Sequence, residues 1–387
     1  MEEWKEYRLG DVIEFKTGKL NSNAAISKGK YPFFTCSPEV LSINEYAFDQ
    51  KAILLAGNNA EGNFNIKYYE GKFNAYQRTY VINPTTENVD IKYLYYCLGL
   101  SLKSLKSVSQ GTSTKFLTAT IINNLPIKLP SIRSQKQIVS ILSSLDDKIE
   151  LNRRINENLE QQTQALFKSW FVDFEPFKDG KFVDSELGMI PEGWKVIETN
   201  KFMTISKESI NPSKNPNCFY AHYSIPAFDE KSMPIFQYGN EIKSNKQKVS
   251  DNMTLVSKLN PRIKRIWFID KACENAICST EFIPYMSLNN SPYFLYCYLD
   301  SDVFYNSIMG SVNGATGSHQ RFQANDTLKF LFPYNEEVIY KFNLVVSGIL
   351  KHKSRLIIEN QKLSQLRDTL LPRLMSGKLE IKDNSYD

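Results

Sequence analysis

The sequence predicts an α+β fold: two pseudo-repeated globular units joined and separated by two long helices that pair as an antiparallel coiled coil. Three observations predict it. The chain begins the same plan twice, at Glu3-Trp4-Lys5-Glu6-Tyr7-Arg8-Leu9 and again at Glu192-Gly193-Trp194-Lys195-Val196. Each copy runs into a long polar stretch free of proline, 131–175 and 334–371, with apolar residues spaced alternately by four and three. Strand-like segments cluster inside each copy without regular βαβ alternation. A chain of 387 residues also exceeds one core, since domains average roughly 100–200 residues.

The elements follow in order. In the first unit, 1–132, residues 52–56 (Ala-Ile-Leu-Leu-Ala) and 79–82 (Thr-Tyr-Val-Ile) read as strands from their apolar, β-branched and aromatic content. Residues 90–100 form a helix with Ile91, Leu94, Tyr95 and Leu98 on one face. A Gln110-Gly111-Thr112-Ser113-Thr114-Lys115-Phe116 loop and a Leu125-Pro126-Ile127-Lys128-Leu129-Pro130 strand close the unit. The first spacer helix, 133–175, carries Ile138, Leu142, Leu145, Ile149, Asn152, Asn156, Leu159, Thr163, Leu166 and Trp170 at seam spacing. Ser131 or Ser134 caps it, and Pro176 and Gly180 end it. Residues 176–191, with Gly180, Gly188 and Pro191, read as a linker. The second unit, 192–335, repeats the strands at 253–256 and 265–269 and the helix at 292–299. Its loop is Val312-Asn313-Gly314-Ala315-Thr316-Gly317-Ser318, followed by Phe330-Leu331-Phe332-Pro333. The second spacer helix, in 336–379, has Phe342, Val346, Ile349, Lys353, Leu356, Asn360, Leu363, Arg367 and Leu370 on its seam. Pro372 should end it, and a tail, 380–387, follows. Asn156 and Asn360 occupy equivalent seam positions, where a buried Asn fixes register. Two separate amphipathic helices are the plainer alternative; the narrow seams and charged outer faces favour pairing.

Several functions are excluded. No run of about 18 apolar residues exists to span a membrane. Met1-Glu2-Glu3-Trp4 lacks the basic and apolar regions of a secretory signal. Six scattered cysteines without a CxxC pair suit a reducing cytoplasm. His222, His319 and His352 lie far apart, so no metal site is expected. No GxxxxGK[ST] or GxGxxG phosphate loop is present. Nor is there an Asn-Pro-Pro-aromatic tetrapeptide of the kind that holds a flipped adenine. Acid-x-Lys triplets such as Glu70-Gly71-Lys72 are accounted for by a lysine-rich surface. The chain reads as non-catalytic.

Binding residues are easier to find. Gly57-Asn58-Asn59 follows a strand directly, and Asn can pair bidentately with adenine. A tight turn would use the same residues. Arg78 follows nearby, and Arg is the commonest reader of guanine. Gln110, Thr112, Ser113 and Lys115 form a small-residue loop able to approach a phosphate. Between 243 and 271 stand eight Lys and Arg against two Asp, a local +6 that exceeds the +5 of the whole chain. They include Lys258, Lys264, Arg262 and Arg265, interleaved with Asn260, Trp267 and Phe268. With Thr316, Ser318, His319, Gln320 and Arg321 they point to DNA rather than to a merely solvated face.

These motifs together resemble a known family. Leu187-Gly188-Met189-Ile190-Pro191 before Glu192-Gly193-Trp194 looks like the start of a target-recognition domain in specificity subunits of Type I restriction-modification systems. Leu129-Pro130 before Gln135-Lys136-Gln137-Ile138 resembles the start of that family's first spacer helix. Leu166-Phe167-Lys168-Ser169-Trp170-Phe171-Val172-Asp173-Phe174 resembles its end. Ser134-Gln135, where Glu-Gln is commoner, and the Gln-free Pro333-Tyr334-Asn335-Glu336 depart from the pattern. The resemblance implies that each unit reads half of a bipartite DNA target and that the helices hold the halves apart. It implies partners: double-stranded DNA, two methyltransferase subunits and motor-nuclease subunits. Those subunits would bring S-adenosylmethionine, ATP and magnesium, this chain holding no cofactor. The rival readings are a stand-alone DNA-binding protein, a fused enzyme and a structural scaffold.

Overall fold

In the computed structural model, which describes residues 4–111, 114–311, 320–379 and 381, the chain divides into two compact units. One is Met1–Glu150 with Asn360–Asp387 and the other is Leu151–Glu359. Each unit thus contains one globular half and part of both long helices. Buried residues of both long helices belong to the hydrophobic cores of the units.

The strands of the first unit are β1 (Lys5–Arg8), β2 (Ile13–Thr17), β3 (Tyr31–Phe34), β4 (Leu41–Ile43), β5 (Phe48–Ala56), β6 (Asn58–Asn59), β7 (Ile66–Ala75) and β8 (Thr79–Pro84). Helix α1 (Ile91–Val108), β9 (Lys115–Phe116), α2 (Ala119–Asn123) and β10 (Pro126–Leu129) follow. The main sheet has the order β2-β8-β5-β7-β3-β4, while β1 pairs with β10 and β6 with β9. Central β5 buries every residue from Ala52 to Ala56, which is why that run is apolar without alternation. Asp90 caps α1 by accepting from the backbone of Lys92 and Tyr93 (2.9 and 3.0 Å). The helix then buries Tyr93, Leu94, Tyr96 and Leu98.

Helix α3 (Ile132–Phe171) comes next and ends four residues earlier than expected, where Phe174 turns left-handed at φ +52° ahead of Pro176. The expected linker is a hairpin, β11 (Phe182–Val183) on β12 (Ile190–Pro191). Phe174 and Phe177 pack edge-on against Trp194, each with ring centres 5.3 Å apart. Gly188 (φ +86°) serves its turn, so glycine here marks backbone geometry rather than looseness.

The second unit has β13 (Lys195–Glu198), β14 (Met203–Ile205), β15 (Ser209–Ile210), β16 (Phe219–Tyr223), α4 (Ile225–Lys231), β17 (Ile235–Tyr238), β18 (Lys246–Lys248) and β19 (Met253–Ser257). After them come β20 (Ile266–Ile269), β21 (Ala276–Cys278), β22 (Phe282–Ser287), α5 (Pro292–Leu299), α6 (Asp302–Ser311), β23 (Leu331–Tyr334) and α7 (Glu336–Met375). Its sheet β14-β22-β19-β20 reproduces β2-β8-β5-β7, and β13 pairs with β23 as β1 does with β10. A second sheet, β15-β18-β21-β16-β17, completes the unit.

The long helices run antiparallel in both units. In the first, Asn360 donates to the Ile149 carbonyl (3.1 Å) and Arg367 to Asp146 (2.8 Å). In the second, Asn152 donates to Glu359 (2.9 Å) and Lys353 ion-pairs with Glu160. Asn152, fully buried, makes the cross-helix bond expected of Asn156. Near its end, α3 buries Phe167 and Phe171 rather than Leu166 and Trp170. A straight helix drifts about 20° per heptad, which moves the seam on by one residue. Pro372 does not end α7 but lies in its last turns. Leu374 and Met375, both buried, carry the helix on into the first unit's core, beside Trp4. Gly377 (φ +70°) follows, and a Cβ there would come within 3.1 Å of the Trp4 indole.

Each long helix also caps a helix of its own unit. Gln135 accepts from Asp90 N (2.9 Å) and donates to Asn88 O and Pro130 O (3.0 and 2.9 Å). Asn343 accepts from Tyr293 N and Phe294 N (3.0 and 3.1 Å) at the start of α5. Both side chains are buried. Gln135→Ala and Asn343→Ala should each lower the unfolding free energy by about 1–3 kcal/mol, because buried N–H groups lose their acceptor. Denaturant unfolding checks this; an unmoved midpoint would contradict the capping role.

Candidate nucleic-acid interface

In the first unit the candidate residues gather where β5 leaves the sheet. The short ladder β6–β9 brings Asn58 opposite Phe116 and Asn59 opposite Lys115. Asn59 Oδ1 accepts from the backbone of Glu61 and Asn63 (both 2.9 Å) and so forms the turn. Asn58 Oδ1 is buried with no partner among the described residues. Both side-chain oxygens are thus engaged in the turn or buried within the loop. Lys106 is drawn to Asn63 Oδ1 (2.7 Å), whereas Arg78 and Gln110 are exposed and Lys115 half-buried. Among the described residues, the side chains of Arg78 and Lys115 have no hydrogen-bond or ion-pair partner. Thr112 and Ser113 lie outside the described residues, as do Thr316, Ser318 and His319.

In the second unit three of the eight basic residues of the 243–271 stripe are paired with carboxylates. Arg265 grips Asp229 through Nε and Nη2 (2.6 and 2.8 Å) and is only 10% exposed. Lys264 pairs with the largely buried Asp300 (2.6 Å), and Lys248 with Glu208 (3.4 Å). Lys246 is buried, its ammonium bonded to Ser244 Oγ (2.5 Å), and burial lowers its pKa. Arg321 holds both oxygens of Glu281 (3.1 Å each). Lys264, Arg265 and Arg321 were expected as DNA contacts; each is tied to a carboxylate of its own unit. Arg262 stays exposed and Lys258 half-exposed, neither with a side-chain partner among the described residues. Asn260 takes φ +47°, and its backbone N–H bonds Gln320 O (2.9 Å).

Strand register makes the two loops directly comparable. Ala56 pairs with Thr79 as Ser257 pairs with Phe282. One residue further, Gly57 N bonds Arg78 O (2.8 Å) and Lys258 N bonds Glu281 O (2.9 Å). The Asn58–Phe116 pair matches the Leu259–Arg321 bridge. Glu281 therefore stands where the first unit has Arg78, and Gln320 where it has Lys115. Sequence reasoning missed Glu281, because only strand pairing reveals the equivalence.

A family model described as the Type I restriction modification DNA specificity domain matches residues 1–161. The Type I restriction enzyme EcoDI specificity subunit of Escherichia coli is 31% identical over 327 residues, covering 78% of this chain and 71% of the relative. The chain belongs to the specificity subunits of Type I restriction enzymes. The HindI specificity subunit of Haemophilus influenzae is 24% identical over 98% of this specificity subunit and 100% of the relative. The crystal structure of a Type I restriction-modification S subunit from M. genitalium shares the fold, with a TM-score of 0.64 at 16% identity over 98% and 97% of the two chains. The repeated plan read from the sequence is that of this family, and the specificity subunit is the component that confers DNA sequence specificity on the enzyme.

Ion pairing separates structural from available cations. Arg265→Ala should cost roughly 1 kcal/mol or more in stability through lost packing and pairing. Arg262→Ala should stay within about 0.5 kcal/mol of the parent. Thermal unfolding of the two variants side by side distinguishes them, and equal losses would mean Arg262 is also structural.

Proposed function

We propose that each globular unit of this specificity subunit reads one half of a bipartite DNA target, and that the paired helices set the number of unread base pairs between the halves. The observation that carries this reading is the reproduction of β2-β8-β5-β7 by β14-β22-β19-β20. The chain presents two equivalent loop sets with different side chains. An unpaired Arg78 and Lys115 face the first half-site. The second meets Lys258, Asn260 and Arg262 beside a neutral Glu281–Arg321 pair. Arg78 offers guanine a planar fork, and Lys115 a point charge for phosphate. Arg262 and Lys258 divide the same roles in the second unit.

The chain itself performs no chemistry in this proposal. Two methyltransferase subunits dock on it and supply S-adenosylmethionine and adenine methylation; motor-nuclease subunits supply ATP-driven cleavage with magnesium. The complex works in the cytoplasm. No helix among the described residues is long and apolar enough to cross a membrane.

Two experiments test the reading. In the reconstituted methyltransferase complex, Arg78→Ala should cost about 1–3 kcal/mol of affinity and relax the first half-site only. A uniform loss on all DNA would make Arg78 a phosphate contact. Each 40-residue helix spans roughly 60 Å at 1.5 Å per residue. Inserting one heptad in each, beside Asn152 and beside Glu359, adds about 10 Å while nearly preserving the seam. At roughly 3.4 Å per base pair, methylation mapping should show an unread spacer about three pairs longer between unchanged half-sites. An active insertion variant with the old spacer would refute the ruler.

A further inference from the structure

The same small network occurs once in each unit with its charges exchanged. In the first, Tyr96 on α1 donates to Asp146 of α3 (2.6 Å), whose other oxygen accepts from Arg367 of α7 (2.8 Å). In the second, Tyr296 on α5 donates to Glu160 of α3 (2.6 Å), the ion-pair partner of Lys353 of α7. Lys353 also donates to the tyrosine oxygen (3.2 Å). The helices repeat one another: the caps Gln135 and Asn343 and the buried apolar pairs Ile138 and Val346, Leu142 and Leu350 lie 208 residues apart, and Asp146 and Lys353, Glu160 and Arg367 lie 207 apart. Lys353 thus lies within one residue of the position equivalent to Asp146, and Arg367 within one residue of that equivalent to Glu160, each holding the same place in its network. Both acids are on α3, and both bases are on α7.

This distribution decides a choice that apolar contact leaves open. Because the apolar positions recur, α3 laid antiparallel on the α3 of a second copy would bury a similar stripe. That pairing would set Asp146 against the second copy's Glu160 at two places. An α7 pair would likewise set Lys353 against Arg367 twice. These side chains are only 23–31% exposed, too enclosed for water and salt to screen such repulsion fully. We propose that Asp146, Glu160, Lys353 and Arg367 form a pairing code: α3 accepts a helix of the opposite sign and rejects a second copy of itself, so a first unit is always joined to a second. The inference rests on the helix contacts alone, whatever the units bind.

Full-length variants test it by sedimentation mass and thermal unfolding. Glu359, which would face its own copy in an α7 pair, is changed to Gln in all of them and in the reference chain. The fourfold exchange Asp146→Arg, Glu160→Lys, Lys353→Glu, Arg367→Asp keeps α3 and α7 complementary. It should retain the reference mass and Tm; a base beside the tyrosine already occurs at Lys353. The twofold exchange Asp146→Lys, Lys353→Glu leaves net charge unchanged but makes each helix complementary to itself. It should double the mass or lose the cooperative transition of the reference. Reference mass and a Tm within about 2 °C for the twofold exchange would overturn the code. So would a fourfold exchange that does not recover the reference fold.

Discussion

Everything in this chain hangs on two 40-residue helices that must satisfy two neighbours at once. Along one stripe α3 and α7 bury residues against each other, and towards each globular half they bury others. Where a helix begins, a buried amide, Gln135 or Asn343, caps the helix of the unit it has just left. Where it ends, aromatic or aliphatic residues meet the tryptophan that opens a unit, Trp194 for α3 and Trp4 for α7. Between these apolar ends the seam turns polar, through Asn152, Lys353 and Asn360. A buried polar contact adds little net stability, since desolvation offsets it, but it is costly to mismatch. The ends hold the helices, and the middle sets their register.

The repeat shows what such a scaffold conserves and what it releases. Strands β5 and β19 are buried along their inner length, and their neighbours occur in the same order. A buried strand tolerates few side chains, because each must fill its space without leaving polar groups unpaired. One residue beyond the sheet that constraint lapses. Gly57 and Lys258 are equivalent by register yet share no chemistry, and neither do Arg78 and Glu281. Side chains at these loop positions can therefore change without disturbing the backbone that presents them.

Periodicity made much of this legible. The 4–3 spacing located both long helices, apolar runs located β5 and β19, and the apolar face of 90–100 located α1. Features that depend on distant partners were not legible. Arg265 finds Asp229, Lys264 finds Asp300 and Arg321 finds Glu281 across 36 to 40 residues. No local pattern forecasts such pairs, so a paired cation reads like an available one. The hairpin at 182–191 is not legible within the expected linker because its glycines suit a turn as well as a tether. Pro372 misled for the opposite reason: a local helix breaker was overruled by the burial of Leu374 and Met375 beyond it.

The ion pairs also change what the charge of the second unit can do. An excess of +6 over 243–271 suggested broad electrostatic binding, but a cation already facing a carboxylate displaces few counterions from DNA. Only cations without such partners contribute to the steep salt dependence of backbone binding. To reach a phosphate, Arg265 would have to leave a two-point grip on Asp229 and expose a side chain that is now largely covered. Its arginine fork is worth more as a brace than as a contact. The pairs at Asp229, Asp300 and Glu281 thus brace the 258–265 loop, and Arg262 within it stays exposed without a side-chain partner among the described residues. A loop ordered before binding loses less entropy on contact. In this unit charge contributes mainly by fixing geometry, and few of its cations remain unpaired for a polyanion to meet.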